Sequence, residues 1–214
     1  MTILVVCSLR IEHRFLSEFE RLPGVEVHLT GMGRARASAW ADQWIVTGQR
    51  AVVSTGFCGA LDPTLPRGAL VAAHTVVDAL DGARFAADPG LLDAAGPTGR
   101  GTLVSTTSLL RTPQDRAATA GTVVDMESAA LARVAAARGV PFLAIRSVTD
   151  RANDSLPDLE RVVDGLGRPR SARLCALVIS RPWSVPALVR LKLGTAAARR
   201  ALPPVLRSLV ERAP

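Results

Sequence analysis

The segment Val124-Asp125-Met126-Glu127-Ser128-Ala129-Ala130 puts a carboxylate where an apolar strand gives way to a helix. Further on, Ile145-Arg146-Ser147-Val148-Thr149-Asp150 ends the next apolar strand on a second one. In an open α/β sheet the carboxyl ends of the strands form the edge where ligands sit. Two acids delivered to that edge can divide labour, one holding hydroxyls as a carboxylate and the other carrying a proton.

The rest of the chain repeats the same alternation. Strands are expected over residues 3–7, 25–30, 51–55, 69–77, 101–105, 123–126 and 140–148, and helices over 11–19, 35–47, 113–119, 128–138 and 174–179. Residues 78–100, rich in Asp, Gly, Ala and Pro, read as a loop with short helical pieces. Hydrophobic residues make up 48% of the 214, with 4% aromatics and no tyrosine, so the core is Val, Leu and Ala. That composition suits parallel strands covered on both faces. The expectation is an α/β fold, a mostly parallel or mixed central sheet flanked by helices.

Residues 1–180 form the expected catalytic domain, and the texture changes beyond them. Residues 168–214 hold ten Lys and Arg against one acid, Glu211, which leaves 16 basic and 18 acidic residues in 1–167. The net charge of +7 is therefore a property of the tail. Gly194 and Pro203-Pro204 are expected to split residues 181–214 into two short helices, with Val205, Leu206, Leu209 and Val210 on one side and Arg207, Ser208, Glu211 and Arg212 on the other. Such a basic amphipathic tail is read as binding an anionic membrane surface, the alternative being that it packs on its own domain or on a dimer mate with its arginines solvated. Nucleic acid is not the expected partner, because stacking aromatics are missing from the tail apart from Trp183. Cys7, Cys58 and Cys175 lie far apart, with neither a disulfide framework nor zinc spacing, which favours a reducing cytoplasm. His13, His28 and His74 also lack metal-ligand spacing. The first residues read as a buried strand, not a signal peptide. No apolar run reaches the roughly 18–20 residues needed to span a bilayer.

Five motifs in order carry a resemblance to the nucleoside phosphorylase/nucleosidase superfamily, above all to the methylthioadenosine/adenosylhomocysteine nucleosidases. They are the first strand with Ser8-Leu9-Arg10-Ile11-Glu12; Gly31-Met32-Gly33-Arg34-Ala35; Thr55-Gly56-Phe57-Cys58-Gly59-Ala60-Leu61; Asp125-Met126-Glu127; and Ser147-Val148-Thr149-Asp150-Arg151-Ala152-Asn153. The resemblance implies that Asp150 protonates N7 of a purine, that Glu127 binds the ribose hydroxyls with Met126 packed on the sugar, and that Glu12 activates the attacking water. It further implies substrate contacts from Phe57, Cys58, Gly59, Leu109 and Arg146, and no metal or cofactor. The chain departs from the pattern in several places. Ser8-Leu9 replaces Ala-Met, Phe57 stands where many nucleosidases have Ser, Leu109 and Thr107 replace a stacking Phe and an Asp, Thr149 replaces Ser, and Asn153 replaces an acid.

These expectations amount to a purine nucleoside hydrolase, a homodimer in the family manner, releasing adenine from a nucleoside with a 5′-substituted ribose. The loop around Phe57 and the basic C-terminus also resemble the hopanoid-associated nucleosidases, which release adenine from adenosylhopane. That likeness implies a cytoplasmic enzyme peripheral to the inner membrane surface. The alternatives are a phosphorylase, a soluble methylthioadenosine/adenosylhomocysteine nucleosidase, and a silent nucleoside-binding scaffold. A phosphorylase needs an anion site of arginines and a Gly-rich loop near the first strand. Although Arg10 and Arg34 are present, no Gly-Asp-Pro-type loop follows that strand and no Arg stands just before Thr55-Gly56.

Overall fold

The computed structural model describes residues 2–158, 163–168, 170, 177, 180 and 184–213. Eight strands form one sheet: β1 (Ile3–Cys7), β2 (Val25–Leu29), β3 (Ala51–Ala60), β4 (Leu70–Asp78), β5 (Arg84–Ala86), β6 (Gly99–Ser105), β7 (Val123–Asp125) and β8 (Phe142–Asp150). The described helices are α1 (Arg10–Leu16), α2 (Arg34–Trp44), α3 (Pro89–Ala94), α4 (Pro113–Ala117), α5 (Ser128–Ala137) and α6 (Val185–Arg212). The expected helix over 174–179 falls largely outside the described residues.

The sheet is mixed. Parallel pairs join β1 to β2 and β3, β3 to β8, and β6 to β4 and β7. Antiparallel pairs join β4 to β5 and β8, and β3 to β7. β3, β8, β4, β6 and β7 therefore pair in a closed ring, with β1 and β2 extending it beyond β3. β1 and β8 are buried along their whole length, as strands covered on both faces must be.

Two differences from the sequence reading matter for the site. The stretch expected to turn at Gly56 instead continues as strand to Ala60. Gly56 adopts φ 144°, and a Cβ there would overlap the Glu12 carboxylate, so only glycine fits this strand position. The tail is likewise one helix, not two. It runs through Gly194, Pro203 and Pro204 because Leu202, Leu206 and Leu209 are wholly buried in the core shared with β1, β2 and β8. The prolines withdraw N–H donors facing the carbonyls of Arg199 and Arg200, both on the exposed side where water can take their place. Gly194 is a point of close approach: a Cβ there would collide with the Thr149 carbonyl. The apolar side of residues 205–210, read above as free for a membrane, is thus spent on the core. No helix among the described residues is long and apolar enough to cross a membrane.

Candidate active site

A cavity of about 570 Å³ opens at the carboxyl ends of β3, β7 and β8, and Glu12, Glu127 and Asp150 all border it. Each acid is delivered by a separate local device. Glu12 sits in the first turn of α1 and reaches back to that helix's N-terminus. Its Oε2 accepts from the backbone N–H of Ser8 (3.0 Å) and Leu9 (2.8 Å), and its Oε1 accepts from that of Phe57 (2.7 Å). Burial pushes its carboxyl up, opposed by these N–H groups and by Arg146. Glu127 ends the turn between β7 and α5 and accepts the Gly33 N–H at 2.6 Å. Burial, then the charge of Asp125, pushes its carboxyl up to about 7.

Asp150 owes its orientation to an irregularity of β8. Cys58 pairs with Val148 but Gly59 pairs with Asp150, so Thr149 is an extra residue on β8. A bulge re-aims side chains, and here Thr149 and Asp150 both face the cavity. Thr149 Oγ1 lies 3.1 Å from the Cys58 carbonyl and 2.7 Å from Asp150 Oδ1. When its one proton goes to the Cys58 carbonyl, its oxygen can accept from a protonated Asp150. Burial pushes the Asp150 carboxyl up, opposed first by Arg116. Arg116, 1% exposed, places Nη2 2.5 Å from Asp150 Oδ2 and donates to the carbonyls of Leu110 (Nε 3.2 Å, Nη2 3.1 Å) and Arg151 (Nη1 2.7 Å). A buried charge needs such a partner.

The sequence-selected contacts Phe57, Cys58, Gly59, Leu109 and Met126 also border the cavity. Phe57 stacks on Phe15 with ring centroids 6.0 Å apart. Gly59 must stay small, since a Cβ would come within 2.9 Å of Asp150 Oδ2. Arg146 reaches the cavity floor, but its donors are engaged from below. Nε and Nη2 bond Asp125 at 3.0 and 2.7 Å, and Nη2 also lies 2.8 Å from the hydroxyls of Ser54 and Ser128. Asp125 in turn accepts from the Ser128 hydroxyl at 2.6 Å. The network holds the start of α5, and with it Glu127, against β8.

Several bordering groups were not selected from sequence. Arg116 comes from a five-residue helix without any pattern that marks a buried cation. Thr55 carries a buried hydroxyl with no partner among the described residues and faces the cavity. Leu188, Leu191, Lys192 and Thr195 of α6 form one wall, which the reading of the tail as a separate appendage hid. With Leu9, Ile11, Phe57, Leu156 and Val163, they make the lining predominantly apolar.

Arg34, considered above for an anion site, is engaged elsewhere. It forms two bonds of 2.6 and 2.7 Å to buried Asp78, which also pairs with Arg133 at 2.7 Å.

The family model described as the phosphorylase superfamily matches residues 10–180. Solved structures share the fold over almost the whole chain. Futalosine hydrolase of Helicobacter pylori has a TM-score of 0.74 at 16% identity, covering 99% of this chain and 97% of that one. The 5′-methylthioadenosine/S-adenosylhomocysteine nucleosidase of Neisseria meningitidis, in complex with methylthio-immucillin-A, has a TM-score of 0.71 at 20% identity, covering 98% of each chain. The S-adenosylhomocysteine nucleosidase of Streptococcus pyogenes has a TM-score of 0.71 at 17% identity, covering 100% of this chain and 98% of that one. No curated protein matches the sequence.

Proposed function

The chain belongs to the phosphorylase superfamily, and on that footing we propose that it hydrolyses the N-glycosidic bond of a purine nucleoside and releases adenine. The observation that carries hydrolysis is Glu12. The N–H groups of Ser8, Leu9 and Phe57, a cradle suited to an anion, already hold the Glu12 carboxylate. A phosphate would have to displace a carboxylate bonded by three donors. Water needs no such room, because each carboxylate oxygen retains lone pairs to orient it.

The roles then divide by position in the cavity and by the superfamily resemblance. Asp150, buried and able to keep a proton, donates it to N7 of the purine as the bond to C1′ breaks, so the base departs neutral. Glu127, in its ionised form, accepts from the 2′- and 3′-hydroxyls, and these bonds strengthen as the sugar becomes cationic. Glu12 orients the water and takes its proton. The unpartnered Thr55 hydroxyl is free to serve the sugar or that water.

The apolar wall of Ile11, Phe57, Leu188 and Leu191 supports a nucleoside with an apolar 5′ substituent. We take this to be a lipid-linked adenosine of the adenosylhopane kind, met by a homodimer on the cytoplasmic face of a membrane. The test is product identification from adenosine, methylthioadenosine and adenosylhopane, each with and without phosphate. Free adenine and free sugar in both conditions support hydrolysis. Ribose 1-phosphate, formed only with phosphate, would make the protein a phosphorylase. Preference for methylthioadenosine would replace the lipid-linked substrate with a soluble one.

A further inference from the structure

Within the basic tail expected to meet a membrane, the structure points to one docking face: we propose that the outward side of the N-terminal half of α6, beside the cavity mouth, seats the protein on an anionic lipid bilayer. At about 100° per residue, Val185, Val189, Leu193, Ala196 and Arg200 fall on the side of α6 opposite Gly194, Ala198 and Leu202. Burial follows that division. Val189 is 51% exposed and Leu193 63%, while Gly194, Ala198 and Leu202 are buried. Leu193 is among the most exposed large apolar residues described, and with Val185 and Val189 it makes a stripe along successive turns.

The surroundings of the stripe say what would cover it. Lys192, Arg199 and Arg200 are exposed on the same helix, and Arg10 and Arg14 are exposed on α1. Arg14, Arg21 and Arg199 border a shallow depression between the two elements, with Glu18 as its one acid. Exposed apolar side chains set among cations match the headgroup region of an anionic bilayer, where the apolar groups insert and the cations meet lipid phosphates. Position adds to this. Ile11, which is exposed, and Lys192 border both this surface and the cavity. A bilayer seated here would face the cavity mouth, so an apolar 5′ substituent could pass between lipid and pocket without crossing water. That last purpose rests on the nucleosidase reading above, but docking itself does not.

The test uses the full chain and vesicles of phosphatidylcholine alone or mixed with phosphatidylglycerol. Co-sedimentation at low salt should occur with the anionic vesicles only and weaken as salt rises. The double variant Val189→Asp/Leu193→Asp and the double variant Arg199→Glu/Arg200→Glu should each lower the vesicle-bound fraction by about tenfold or more. Neither should change adenine release from a soluble nucleoside, which keeps the chemistry and the docking separable. If the wild-type chain ignores anionic vesicles, or both variants sediment as it does, the proposal is overturned. It is also overturned if Val189→Asp/Leu193→Asp dissociates a dimer in analytical ultracentrifugation without affecting vesicle binding, since the face is then a subunit interface.

Discussion

Arg116 Nη2 lies 2.5 Å from Asp150 Oδ2, and the two side chains are 1% and 8% exposed. The residue proposed as the proton donor is therefore paired with a buried cation. Burial and Arg116 act on it in opposite directions: burial favours the protonated acid and the guanidinium favours the carboxylate, with burial the larger influence. The balance between them sets the pH range in which Asp150 holds a proton.

Asp150→Asn should leave the fold intact and lower base release by about 10²–10⁴-fold, because an amide cannot supply the proton. Steady-state kinetics beside circular dichroism check this. Turnover close to wild type would take Asp150 out of the mechanism.

Arg116→Gln should move the basic limb of the kcat/KM profile to higher pH. Activity falls on that limb as Asp150 loses its proton, and without the guanidinium the proton is held more tightly. A purely structural role would lower activity at every pH and leave the limb where it was. Arg116→Lys should restore most of the wild-type profile.

Glu127→Gln should weaken binding of nucleosides with intact 2′- and 3′-hydroxyls by roughly 1.5–3 kcal/mol, the worth of a hydrogen bond to a charged group. Dideoxy analogues should lose little. Stability should move the other way. The carboxyl titrates near 7 in the fold against 4.5 for the free side chain, so the native state holds its proton more tightly. Its ionisation therefore costs stability progressively as pH rises through that window. Above it, the glutamine variant should be more stable by up to about 3 kcal/mol, and at pH 4 the difference should vanish. Thermal melts of the ligand-free protein at pH 4 and pH 8 read this directly. Equal shifts at both would place the charge of Glu127 elsewhere.

Gly194→Ala should reduce activity although no cavity residue changes. The added methyl meets the Thr149 carbonyl, so either α6 or the bulge carrying Asp150 must shift. Overpacking of this kind costs about 1–3 kcal/mol. The expected pattern is a lower melting temperature with a fall in kcat larger than any change in KM, read by calorimetry and kinetics. Unchanged kcat would mean that the helix, not the strand, absorbs the strain.

The sheet was legible because strands buried on both faces leave near-continuous apolar runs, as in 3–7 and 142–145. The three acids that border the cavity were legible because Glu127 and Asp150 close apolar strands and Glu12 follows the first one into a helix, each within a motif that resembles the superfamily's. Arg116 was not: Pro113-Gln114-Asp115-Arg116 has the composition of a solvated turn, and only the tertiary approach of α4 to β8 buries its arginine. The course of α6 was hidden for a different reason. Two prolines and a glycine are local arguments for a break, and they lose to Leu202, Leu206 and Leu209 filling the core over β1 and β8. The same packing reversed the sense of the amphipathic pattern, turning a face read as lipid-seeking inward.

On the hydrolytic reading, Glu12 in its cradle of N–H groups also fixes the direction of flux. Phosphate as acceptor would conserve the energy of the glycosidic bond in a sugar phosphate, and base and sugar could be rejoined. Water as acceptor discards that energy. The exchange of an inorganic anion for a side chain thus converts a reversible salvage step into a one-way commitment, insensitive to the cell's phosphate supply.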